Sequence, residues 1–415
     1  MRILSALGLS ASITLSCTAE NAAYQEDADL GTGTELNPAT STNSGSTQGT
    51  TSAHSASASQ SQGASSSSPS TGDSTTEIET EPDCWRTRII ISTEDLLPAG
   101  TVLSEVPVRV ETSQLAPVPN LGTLRFYQHD DRLPYELEGI GRFAWVRIEE
   151  LGEEKTTEFE AIMGTTCPDL PERLPTRSVW SAGYVAVFHF DNGDESPLSF
   201  VDSANGIELV ADADTQEGQT EWVLGTHIWK LGDGVLEASD LGLDLHDDDE
   251  ISTLGWVQLE NKHAEVLPWN DSDARHRELI AKLPGYRLSA VRGHVGPLSE
   301  FAASPFFNLS QSLTDELHDN VLGPDPLEAE RWTMLAGTYD GEQMRLFVDG
   351  DLITSGNTLY TPGSNTNGSM RVGRWLRGGI DEVRISDVAR SADWIRIQHA
   401  SMTDTLLQYR SREKI

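Results

Sequence analysis

Few residues in this chain of 415 could do chemistry, and their spacing excludes most reactions. No G-x-S-x-G turn presents a nucleophile, no H-E-x-x-H pair could bind zinc, and no glycine-rich phosphate loop follows a strand. Glycoside hydrolysis needs two carboxylates facing one cleft, which on a strand means alternate positions. No predicted strand carries such a pattern. The run Asp247-Asp248-Asp249-Glu250 sends neighbouring side chains to opposite sides and reads as a solvated turn. His189, within Phe188-His189-Phe190, reads as a strand residue between core positions. Cys84 and Cys167 have no second cysteine or histidine at zinc-ligand spacing. These absences predict a protein that is not an enzyme.

What the cysteines do depends on compartment. Met1-Arg2 precedes an apolar stretch, Ile3 to Leu15, and then Ser16-Cys17. The stretch is too short to span a bilayer and has the form of a signal peptide. Its end, Thr14-Leu15-Ser16-Cys17, resembles a lipobox, with Thr14 where that motif usually has Leu. The resemblance implies that residues 1–17 are a lipoprotein signal whose Cys17 carries the lipid. Thr18, not Asp, follows it, which in such lipoproteins implies the outer membrane, with the cell surface as the expected location. In that oxidising setting the remaining pair, Cys84 and Cys167, is expected to form a disulfide.

Residues 18–82 are rich in Ser and Thr and nearly free of large apolar side chains, so nothing there offsets the entropy of ordering a backbone. They are predicted to be a disordered linker. Short β-branched or aromatic runs then recur between Pro, Gly, Asn and Asp turns: Ile89-Ile90-Ile91, Val106 to Val110, Leu124 to Tyr127, Phe143 to Ile148 and Thr157 to Met163. They predict a small β-sandwich over 83–168. A Pro-rich joint leads to a larger β region over 178–405, in which two Asp-Gly turns, at 340–341 and 349–350, bound a strand with Met344, Leu346 and Val348 on one face. The fold class is therefore all-β. A formal net charge of −36 and a pI near 4.4 repel phosphate backbones, which excludes nucleic acid as a partner.

Trp85 to Ile91, Leu124-Arg125-Phe126, Asp131 to Glu138 and Ala144 to Ile148 resemble a domain of unknown function from bacterial surface proteins. That domain usually stands before a concanavalin A-like module. Trp332 to Ile353, Met370 to Arg374 and Gly378-Gly379-Ile380-Asp381-Glu382-Val383-Arg384-Ile385-Ser386 resemble the laminin G-like, concanavalin A-like family. Ser391 to Ile395 is similar to the closing helix of that family, with Ser391 as its N-cap. The resemblance implies a two-sheet jelly roll. It also implies a structural calcium ion held by Asp191 and Asp381, completed by backbone carbonyls and water.

The jelly roll supports many functions, so its shape names no ligand. Aromatic faces stack on sugar rings, and Trp269 and Trp375 stand in loop contexts where a ligand could meet them. The expected function is that of a surface-anchored binding or adhesion lipoprotein recognising a glycan or an extracellular protein. The alternatives are a structural surface module without a specific ligand or, third, a polysaccharide-active enzyme.

Overall fold

The computed structural model describes residues 83–415 apart from 118–119, 139–140, 153–154, 168–169, 192–193, 196–197, 213–214, 220–225, 231–233, 239–248, 261–275, 293–302, 312–317, 360–362 and 364–367. The signal segment with Cys17, the linker 18–82 and Trp269 lie outside the described residues. All described residues belong to one unit, Glu77–Ile415.

Its first part is two small antiparallel sheets built by alternation. Cys84–Ser92 buries Thr87, Ile89 and Ile91, exposes Arg88 between the first two, and pairs along its length with Thr156–Gly164. Arg125–Gln128 and Asp131–Leu133 extend that sheet. Facing it, Leu103–Glu111, Phe143–Leu151 and Tyr135–Glu138 form a second sheet. Val108, Val146, Phe126 and Phe159 fill the space between. Cys84 and Cys167 are disulfide-bonded, closing the two ends of this part on each other. Gly164 is fixed by close approach, because a Cβ there would stand 1.9 Å from the Asp83 carbonyl oxygen.

The second part is a jelly roll. Among the described residues one sheet has eight strands, including Ile251–Leu259, Trp332–Tyr339, Gln343–Val348 and Gly378–Ser386, and the other has nine, including His276–Lys282, Gly285–Arg292, Ala303–Ser310 and Met370–Val372. The core between them holds Val257, Leu288, Phe307, Leu335, Leu346 and Ile380. Asp349 and Gly350 both have positive φ, 50° and 86°, as a two-residue hairpin turn matched to strand twist requires.

Both faces of Trp332–Tyr339 are covered, so every residue of that strand is buried. Leu335 points between the sheets, while Met334 and Ala336 point outward and join Trp256, Trp332 and Trp394 in the core of the small sheets. The helix Ala392–Met402 lies there too, capped by Ser391, whose side chain accepts from the Trp394 N–H at 3.2 Å. Beyond the predicted limit at 405, the chain returns to the first part. Leu407–Tyr409 and Glu413–Lys414 pair with Cys84–Ser92, and the Ile415 N–H donates to the Cys84 carbonyl at 2.9 Å.

Candidate functional site

Where the small sheets meet the jelly roll, the apolar core gives way to buried charge. Glu136 and Glu138 lie two apart on Tyr135–Glu138 and so share a face, with Trp145 directly opposite Glu136 on the neighbouring strand. The Trp145 indole donates to Glu138 Oε2 at 2.8 Å. Glu136 accepts from the Ser203 hydroxyl at 2.6 Å and from the Trp180 indole. From the jelly roll comes His189, whose Nδ1 lies 2.6 Å from Glu382 Oε1 and whose Nε2 lies 3.6 Å from Glu136 Oε2. The second is an ion-pair distance, not a hydrogen bond. Arg384 donates through Nε to Glu382 Oε2 at 3.1 Å and also through Nη2. Its Nη1 donates to Gln398 at 2.8 Å, and its guanidinium stacks 4.1 Å from the Trp145 ring centre. One relay of contacts thus runs from the closing helix through both parts.

A bulge makes this cluster possible. The eight-stranded sheet pairs Trp256 with Asp381 and Leu254 with Arg384, so Gly378–Ser386 carries an extra residue there, and Glu382 adopts φ 51°. Consecutive strand residues normally point to opposite faces. Here Asp381 and Glu382 both act on the same buried group, Glu138. Phe190, beside His189, also has positive φ, 55°.

Burial disfavours charge on all these groups, and their partners decide which stay ionised. Burial opposes the Glu382 carboxylate, but His189 and Arg384 outweigh it and bring the group down to about 2. Burial likewise opposes the His189 imidazolium, yet Glu382 and Glu136 hold it well above the usual histidine range. Burial raises Glu136, which is half-buried, but His189, Ser203 and Trp180 outweigh it and leave the group lowered. Glu138 has no such compensation: burial first and Glu382 second push it up to about 8, with Asp191 adding to the rise. Asp381 is raised well above the carboxylate range by burial and by Glu382 and Glu138. Its Oδ1 accepts from the Glu382 N–H at 2.8 Å, while its Oδ2 is buried without a partner.

Both residues expected to hold calcium act electrostatically on Glu138 of this cluster. Asp381 is 1% exposed within it and Asp191 is half-buried at its border, and both interact with Glu138. Carboxylate oxygens, one of them orphaned, are a fit donor set for a hard divalent cation. The sequence singled out neither Glu136 nor Glu138. His189 lies between the core residues Phe188 and Phe190, as expected, but just past the strand Tyr184–Phe188, where it is buried against the Trp145 and Trp180 rings and the Glu136 and Glu382 carboxylates.

Trp375 belongs to a second region. It is half-buried on the turn between Met370–Val372 and Gly378–Ser386, with φ 59°, its buried indole Nε1 unpartnered and the Arg374 guanidinium 5.3 Å from its ring. The Arg374 carbonyl accepts from the Glu278 N–H at 2.9 Å, which ties the turn to the nine-stranded sheet. Leu288 faces the core of the sandwich, so its neighbours Arg287 and Ser289 lie on the outer face. Glu278 stands opposite Ser289 and Asn308 opposite Arg287, while Arg371 and Arg287 each reach Glu278 at 3.2 Å. Trp256, Trp332 and Trp394 are core residues. Of the carboxylate run, Asp249 and Glu250 are described, and Glu250 accepts from the Ala389 N–H at 2.9 Å.

Residues 286–396 match the family model of the concanavalin A-like lectin/glucanases superfamily. No curated protein matches the chain in sequence. Similar solved structures include the binding domain of Paraclostridial mosquitocidal protein 1, with 14% identity over 53% of this chain and 52% of that one and a TM-score of 0.39. The binding domain of botulinum neurotoxin DC in complex with SialylT has 12% identity over 53% and 52%, with a TM-score of 0.38. The receptor-binding domain of the botulinum neurotoxin C/D mosaic serotype has 13% identity over 52% and 50%, with a TM-score of 0.39. The chain spans about half the length of these structures.

Proposed function

Because the chain carries a laminin G-like domain of the concanavalin A-like type, we propose that it is an exported lipoprotein, anchored at the outer membrane through Cys17, whose jelly roll binds a glycan or an extracellular protein. The observation that carries the binding role is the polar row Glu278, Arg287, Ser289, Asn308 and Arg371 on the outer face of the nine-stranded sheet, with the Trp375 turn tied to it. The outer face of the eight-stranded sheet is already filled by the helix and the small sheets. An aromatic ring beside hydrogen-bonding side chains is the chemistry that sugar rings select. A glycan array probed with the full chain tests this reading. Trp375→Ala should weaken binding to any glycan found by about tenfold, or ~1.4 kcal/mol, without changing the melting temperature. A specific glycan bound equally by wild type and variant would remove Trp375 from the site. The burial of Glu278, Arg287, Ser289 and Asn308, each at most 3% exposed, favours a second reading, a structural module whose polar groups serve the fold. An array and a panel of extracellular proteins without a hit would select it, and hydrolysis of a polysaccharide would overturn both.

The anchor is tested separately. Cys17→Ser should move the protein from the membrane fraction to the soluble fraction, and continued membrane association would show another anchor. In this reading calcium is structural, held by Asp191 and Asp381. The ion supplies positive charge among buried carboxylates, and Asp381 offers it an oxygen that has no other partner.

A further inference from the structure

Resting on the glycan reading, we infer that the ligand is an acidic sugar, a hexuronic acid set in an otherwise neutral glycan, whose carboxylate pairs with Arg374 while its ring packs against Trp375. The turn that presents both residues is firmly held. The Gly373 N–H donates to the Leu279 carbonyl at 3.3 Å, the Leu376 N–H donates to the Gly373 carbonyl at 3.1 Å, and the Glu278 N–H holds the Arg374 carbonyl. Leu376 is fully buried in the core of the sandwich. Gly373 and Trp375 both have positive φ, 77° and 59°. Glycine adopts that conformation without strain, but a bulky side chain does not; such residues persist where their surroundings over-determine them, and they cluster at ligand sites. A turn fixed before binding loses little entropy on binding.

What the turn presents is a cation beside an aromatic ring. Arg374 and Trp375 are half-buried, so part of each meets solvent. The guanidinium lies 5.3 Å from the ring centre, within cation–π reach. It makes no ion pair with any described residue, although Asp and Glu outnumber Lys and Arg in this chain by 65 to 29. The Trp375 Nε1 has no acceptor either, so no hydrogen bond fixes the ring. A guanidinium is a planar fork of N–H donors with no acceptor, and it matches a carboxylate through two parallel bonds, a geometry that a sugar hydroxyl does not offer. The indole takes the apolar face of a sugar ring. Side by side, the two select a ring that carries a carboxylate. The net charge of −36 sets the opposite limit. The field of the whole chain repels a polyanion, whereas a pair in contact is closer than the screening length of about 8 Å in physiological salt. One carboxylate among neutral sugars therefore suits this turn, and a dense polyuronate does not.

The test probes the full chain against an array of oligosaccharides printed in matched forms: neutral, ending in a hexuronic acid, the methyl ester of that acid, and sulfated, with polygalacturonate alongside. Wild type should bind the acid at least about tenfold more tightly than the neutral chain or the ester, as one charge-assisted pair provides. Arg374→Gln should bind acid, ester and neutral chain alike, and Arg374→Lys, which keeps the charge but not the fork, should recover part of the preference. Equal binding of acid and ester by wild type would overturn this inference, and that comparison needs no variant to fold. So would a preference for the acid that survives in Arg374→Gln, or tighter binding of the sulfated chain or of polygalacturonate than of the acid. Each of these results would leave glycan binding standing. Wild type that binds no probe would end the glycan reading and this inference with it.

Discussion

The interior of the jelly roll and the seam between its outer face and the small sheets are held by different forces. Between the jelly-roll sheets, Leu288, Phe307, Leu346 and Ile380 gain stability in proportion to the apolar area they bury. Such contacts are non-directional and degrade gradually when one is trimmed. At the seam, Arg384, Glu382, His189 and Glu136 hold one another by directed contacts, the first three buried and Glu136 half-buried. There the loss of one partner strands the others, because a buried charge cannot turn to water. The comparison teaches that the seam sets geometry and the sandwich supplies bulk stability.

Arg384→Met should show the largest effect, about 3–5 kcal/mol in urea unfolding, because it leaves Glu382 buried without its guanidinium. A loss below about 1 kcal/mol would mean that the seam tolerates trimming as a hydrocarbon core does. Replacing Cys84 and Cys167 together by Ala should cost about 2–4 kcal/mol, since the bridge restrains the unfolded chain. That loss should vanish when wild type is measured under reducing conditions. Within the sandwich, Ile380→Val should cost only about 0.5–1.5 kcal/mol. Ser391→Ala should cost about 1 kcal/mol, having removed one cap from the helix that covers the seam.

Acid sharpens the contrast. Glu382 titrates near 2 in the fold against an ordinary value of 4.5. A carboxyl depressed on folding contributes fully above its ordinary value and is lost as pH falls toward the folded one. His189 is shifted upward and has the opposite sign: its contribution is full below its ordinary value of 6.5 and is lost only as pH rises through its folded value. Between pH 5 and 2.5 the urea midpoint of wild type should therefore fall more steeply than that of Glu382→Gln. Parallel curves would show that Glu382 does not titrate in this window.

Much of the fold was legible because a strand writes its two faces into alternate residues. Met344, Leu346 and Val348 announced one face, and Asp349-Gly350 announced the turn that follows. Ser391 announced the helix. The seam was illegible for two physical reasons. The left-handed backbone at Glu382 breaks alternation, so the sequence Asp381-Glu382 gives no sign that both side chains act on one group. Glu136 and Glu138 reach His189 only through the packing of segments far apart in the chain, and no local spacing encodes that meeting. Asp191 and Asp381 were singled out by likeness to a family, not by any pattern of their own.

The return of Leu407–Tyr409 and Glu413–Lys414 to Cys84–Ser92 also orders events in time. A ribosome releases Cys84–Ser92 first among these strands, and Leu407–Tyr409 and Glu413–Lys414 last among them. Until then one edge of that strand keeps its amides and carbonyls open, and Ile89 and Ile91 give it the composition that invites foreign pairing. Synthesis thus carries an unfinished sheet until those strands emerge. Completion waits for Leu407–Tyr409 to seal the edge of the strand that was made first.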